Sequence, residues 1–83
     1  VIFDGKAYQQ YTEWAIADIK IFNRINELIK DIDRTPFKGI GKPEPLKHNF
    51  KGCWSRRINK EHRIIYEVLN DKILIHSLKG HYY

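Results

Sequence analysis

The spacing of apolar residues changes once along this chain, near Arg34, and that change dictates the architecture. Up to Asp33 they recur at helical spacing; from Gly52 onward they alternate. A period near 3.6 buries one stripe of a helix, whereas a period of two buries one face of a strand. The chain must therefore set helices against a sheet, an α+β arrangement. With 83 residues there is material for one core only, so residues 1–83 are expected to form a single domain.

Val1-Ile2-Phe3 is a short β-prone run, and Asp4 can cap the helix that follows. Ala7, Tyr8, Tyr11, Trp14 and Ala15 form its stripe. Asp18 offers a second cap, after which Ile21, Phe22, Ile25, Leu28, Ile29 and Ile32 make a broad stripe on a helix ending near Asp33. Arg34 to Asn49 contains Pro36, Gly39, Gly41, Pro43 and Pro45, which rules out a helix or a central strand and predicts a long loop.

Cys53–Ile58, Arg63–Leu69 and Lys72–Leu78 read as strands, joined by Asn59-Lys60-Glu61-His62 and by the turn pair Asn70-Asp71. Alternation places Ile64, Tyr66 and Val68 on one face, joined by Ile73 and Ile75 if the turn has two residues. Arg63, Ile65, Glu67 and His76 then share the other face. Pairing Arg57 with Arg63 would put both guanidinium groups there. The expected fold is a twisted, mainly antiparallel sheet of four to five strands with two N-terminal helices packed on one face, leaving the other open and basic.

Charge sharpens this. Residues 1–33 carry four basic and six acidic side chains, whereas residues 34–83 carry eleven and four, with all four histidines. A basic half bearing Trp54, Tyr66, Tyr82 and Tyr83 suits phosphates and unstacked bases, although a solvated basic surface has the same composition. No apolar run reaches the ~18–20 residues of a membrane span, and one cysteine, Cys53, cannot form an internal disulfide. A cytoplasmic protein that acts without a membrane is expected.

Candidate chemistry narrows by elimination. No His/Cys pair has the local spacing of a zinc site, so no metal or other cofactor is expected. Cys53, beside Trp54, reads as a packed residue rather than a nucleophile, and Gly39-Ile40-Gly41-Lys42 lacks the spacing of a phosphate loop. Acid–base attack on a phosphodiester remains, which needs a base, cations around the phosphorane and an acid for the departing oxygen. Glu44, the only carboxylate between Asp33 and Glu61, is either that base or an ordinary partner for Lys42 or Lys47. Arg56, Arg57 and Arg63 are strand cations whose facing the pattern leaves open. His81 near the end is either an acid or an idle tail residue.

Several segments together carry a resemblance. They are Ile25-Asn26-Glu27-Leu28-Ile29-Lys30-Asp31, Arg34-Thr35-Pro36-Phe37 and Gly41-Lys42-Pro43-Glu44-Pro45-Leu46-Lys47-His48-Asn49. Trp54-Ser55-Arg56-Arg57-Ile58, Glu61-His62-Arg63, Tyr66 and His81-Tyr82 complete the set. In order and nearly end to end, the chain resembles the YoeB group of the RelE/ParE toxins. The resemblance implies a RelE-like, microbial-RNase-like fold and a toxin of a type II toxin–antitoxin system. Such a toxin cuts mRNA in the ribosomal A site without a metal, leaving a 2′,3′-cyclic or 3′ phosphate and a 5′-hydroxyl.

By the same resemblance Glu44 is the general base, His81 the general acid, Arg63 the transition-state cation and Tyr82 the ring that orients substrate or acid. Lys47, Arg56 and Arg57 would steer mRNA or the ribosome. A YefM-like antitoxin is the implied partner, and a homodimer is compatible with the group. Two other readings are a non-catalytic toxin of the gyrase-binding ParE kind, which lacks the matching Glu and terminal His, and a plain basic RNA-binding module. The chain departs from the group at Cys53, where an aromatic residue is common, and at Lys79-Gly80, where a bulkier pair is expected and Gly80 would let the tail move.

Overall fold

The computed structural model describes residues 1–81. Its elements are β1 (Ile2–Phe3), α1 (Gly5–Ala17), α2 (Ile19–Arg34), β2 (Glu44–Pro45), β3 (Cys53–Arg57), β4 (Arg63–Leu69) and β5 (Lys72–Ser77), with a 3-10 turn at His48–Phe50. Both expected caps form. An Asp4 side-chain oxygen accepts from the Ala7 N–H at 2.8 Å, and Asp18 accepts from the Lys20 and Ile21 N–H groups. Each satisfies amides that the first turn of a helix leaves without partners.

The strands form one sheet in the order β1-β5-β4-β3-β2, parallel only between β1 and β5. Leu69 pairs with Lys72, so Asn70-Asp71 is a two-residue turn, with Asn70 at φ 56°, a region asparagine tolerates. The helices pack on one face: Ile25, Leu28 and Ile32 of α2 meet Ile64, Tyr66, Ile73 and Ile75 of the sheet. Each such aliphatic side chain contributes about 2 kcal/mol by leaving water. The register slips between Ile65 and Tyr66. That slip lets Ile65 stay on the open face while Ser77, its partner, reaches back to Gln10 of α1.

Two expectations change. The loop from Arg34 to Asn49 contains a strand after all, because Glu44 and Pro45 pair with Ser55 and Trp54. Proline is tolerated there because β2 is the sheet edge. Cys53 is half-buried and lies outside the core cluster, since it shares the open face with Glu67, its register partner.

What orders the long loop is Arg56. Its side chain is fully buried on the helix side of the sheet, and its guanidinium donates to Asp31 Oδ2 at 2.5 Å and to the carbonyls of Thr35, Lys38 and Ile40. Its Nε donates to the Tyr66 hydroxyl, which in turn donates to the Pro36 carbonyl at 2.6 Å. The loop therefore wraps around one buried cation. Gly39 closes the wrap: a Cβ there would lie 2.0 Å from Asp31 Oδ2. The expectation that Arg56 steers RNA is thus corrected, because every direction of its fork is already used inside the protein.

Candidate active site

Three cross-strand rows cover the open face. Arg57 lies opposite Arg63, Ser55 opposite Ile65 and Cys53 opposite Glu67, successive rows being two residues, or roughly 7 Å, apart. Glu44 extends the middle row onto β2 by pairing with Ser55. The Arg57 and Arg63 row was expected from alternation, and the register places both cations beside the loop that carries Glu44.

These residues meet in one recess of about 140 Å³, lined by Lys42, Glu44, Leu46, Ser55, Arg57, Arg63, Ile65 and His81. That is well below the ~300–1,000 Å³ of small-molecule pockets, so it suits a phosphate group rather than a whole small ligand. Three cations, Lys42, Arg57 and Arg63, share this lining with one carboxylate, Glu44. That balance attracts a phosphodiester while keeping a proton acceptor at hand. Ile65, although almost fully buried, supplies the apolar part of the wall with Leu46.

The tail that delivers His81 is tied at the preceding residue. The Gly80 N–H donates to His62 Nδ1 at 2.9 Å, and the Gly80 carbonyl accepts from the Arg63 N–H at 3.0 Å. Behind it the Trp14 indole N–H donates to the Leu78 carbonyl, and the Trp14 ring meets His62 edge-on. Gly80 has φ 87°, so the glycine that departs from the group's pattern provides a left-handed bend toward the recess. It is held on both sides rather than loose. Arg63 is oriented as well, donating to the Asn59 carbonyl at 2.9 Å.

Of the residues singled out beforehand, Glu44, Arg57, Arg63 and His81 come together. Arg56 does not, and Lys47 is exposed just past β2, outside the recess lining. Tyr82 lies outside the described residues. Lys42 and Ser55 belong to the recess but were missed. Ser55 follows from the same alternation as Arg57, whereas Lys42 sits in a left-handed bend of the loop, at φ 54°, that no periodicity announces.

Comparison with known proteins agrees with this fold. Residues 3–82 match the model of the YoeB-like toxin of bacterial type II toxin–antitoxin systems. The toxin YoeB of Escherichia coli K12 is 51% identical over 82 residues, covering 99% of this chain and 98% of that protein. Among solved structures, the YoeB–YefM complex from Staphylococcus aureus superposes with a TM-score of 0.91 at 46% identity, covering 98% of this chain and 94% of the other. The YoeB dimer from the same organism gives 0.90 at 48% identity with the same coverage. With both sequence and fold matched over nearly its whole length, this chain belongs to the family of YoeB-like toxins of bacterial type II toxin–antitoxin systems.

Proposed function

We propose that this toxin is a ribosome-dependent endoribonuclease that cleaves mRNA in the A site by acid–base catalysis carried by its own side chains. The observation that carries the proposal is the convergence of Glu44, Arg57, Arg63 and His81 on one phosphate-sized recess. Glu44 takes the proton from the 2′-hydroxyl, whose oxygen attacks the adjacent phosphorus. Arg63, with Arg57 and Lys42 around it, offsets the charge that builds on the phosphorane oxygens. His81, in its protonated form, gives a proton to the departing 5′ oxygen. Tyr82, next in the chain, orients substrate or acid. Attack and departure must lie in line, so Glu44 and His81 serve opposite sides of the phosphorus.

The exposed Lys47 supplies a phosphate contact at the entrance, and the basic open face meets mRNA and ribosomal RNA. The working location is the cytoplasm, where ribosomes are. The silencing partner is a YefM-like antitoxin, by analogy with the YoeB–YefM complex of the Staphylococcus aureus relative, and charge complementarity favours an acidic or amphipathic segment laid on this face. A homodimer is the free form we favour, by analogy with the dimer of that relative. A non-catalytic toxin or a plain RNA-binding module would have no use for a carboxylate and an imidazole in the same cationic recess.

The chemistry is tested by a single 2′-deoxynucleotide placed 5′ to the cleaved bond of a programmed mRNA. The proposal expects that bond to survive, while the all-ribose message yields a 2′,3′-cyclic phosphate (or its 3′-phosphate product) and a 5′-hydroxyl. Cleavage of the deoxy message, or a 5′-phosphate product, would contradict it.

A further inference from the structure

At the other end of the open face from the Arg57–Arg63 row, three strands bring unlike donors together. The Cys53 sulfur, a Glu67 carboxylate oxygen and a His76 ring nitrogen all lie within 4.8 Å of one another. They line a broad depression of about 540 Å³ together with Asp4. Cys53 and Glu67 are register partners, and His76 comes from β5 at the residue passed over by the register slip. Its ring is clasped from both sides: Nε2 is 2.9 Å from Glu67 Oε1, and Nδ1 is 3.5 Å from Asp4 Oδ2. Asp4 is itself fixed, because its other oxygen caps α1.

We propose that Cys53, Glu67 and His76 form a binding site for a divalent transition-metal ion of the zinc class, with Asp4 as the carboxylate that orients His76. Sulfur, nitrogen and oxygen donors suit a tetrahedral ion of borderline softness, leaving a fourth position for water. The charges balance: a thiolate and a carboxylate neutralise the two positive charges of the ion. Binding forms the S–metal bond as the thiol proton leaves to solvent. The Nε2 lone pair turns to the metal while Nδ1–H donates to Asp4, the arrangement in which an outer carboxylate fixes a ligating histidine. Metal–donor distances near 2.0–2.3 Å need donors about 3.3–3.8 Å apart, so small side-chain rotations on a fixed sheet suffice.

Lys6 and Lys51 border the depression, and affinity must therefore come from the donor set rather than from the surface field. The Cys53–Glu67 row lies one row, or roughly 7 Å, from the Ser55–Ile65 row that Glu44 extends, and two rows, or roughly 13 Å, from the Arg57–Arg63 row. The local spacing rules for zinc miss the site because its ligands come from three different strands.

Cobalt(II) titration of the metal-free folded protein tests the proposal, since a thiolate ligand gives a near-ultraviolet charge-transfer band that carboxylates and imidazoles alone do not. The wild type should bind one equivalent with that band, lose it when zinc is added, and unfold at a higher temperature in zinc. Cys53→Ser should abolish the band, and Cys53→Ser and His76→Gln should each weaken zinc at least ten-fold. Asp4→Asn, which keeps a capping side chain, should weaken it by about ten-fold, while His48→Asn should bind as the wild type does. A wild type without the band, or a Cys53→Ser variant that zinc stabilises equally, would overturn the site.

Discussion

Replacing His81 with alanine is expected to slow mRNA cleavage by about 10²–10⁴-fold, the usual range for a positioned general acid. The more telling result is rescue. A message whose 5′ oxygen at the cut is replaced by sulfur has a leaving group that needs no proton. Single-turnover rates on that message should bring His81→Ala close to the wild type while leaving Glu44→Gln slow, because deprotonation of the 2′-hydroxyl is still required. Both side chains are exposed at the rim of the recess, so neither change should disturb folding. If sulfur fails to rescue His81→Ala, the proton donor is another group.

Arg56→Met should produce the largest loss of stability of any single substitution on the sheet. Removing one partner of a buried pair costs roughly 3–5 kcal/mol. A chain of this length is stabilised by only about 4–12 kcal/mol in total. The change also strands the carbonyls of Thr35, Lys38 and Ile40 that the guanidinium serves, and with them the loop that carries Glu44. Arg57→Ala, one residue on and exposed, should leave stability within about 0.5 kcal/mol while reducing cleavage. Urea denaturation separates the two: an Arg56→Met protein as stable as the wild type would mean that Arg56 is no anchor.

The same pair sets an acid limit. The Ile40 N–H, then the Arg56 guanidinium, hold the Asp31 carboxyl below its ordinary value of 3.8. A lowered carboxylate contributes stability that is fully present above that ordinary value. That contribution is lost as pH falls through the lower folded-state value, so the loop should loosen at the acid end.

The period change at Arg34 made the α+β arrangement, both caps and the Arg57–Arg63 row readable before any coordinates, because helix stripes and strand alternation are local properties. The place of Arg56 was not readable in the same way. Alternation separates it from Arg57 but leaves open which of the two faces the helices, and only the fold shows that Asp31, 25 residues earlier, waits for Arg56 with three carbonyls. Glu44 could be picked out by its isolation in a basic loop, yet its pairing with Ser55 depends on a two-residue edge strand within what reads as a long loop. The tie between Gly80 and His62 was invisible for a different reason. It joins residues 18 apart through a backbone amide, and side-chain patterns carry no information about that. Cys53, Glu67 and His76 show the same limit, since sheet register rather than sequence spacing assembles them.

The most direct measurement is primer extension on a defined mRNA incubated with the purified toxin, with and without programmed ribosomes, beside Glu44→Gln and His81→Ala proteins of equal stability. The account predicts a cut within the A-site codon that requires ribosomes and is lost or slowed at least a hundred-fold in both variants. An intact message with the folded wild type, or cutting that persists in both variants, would contradict it.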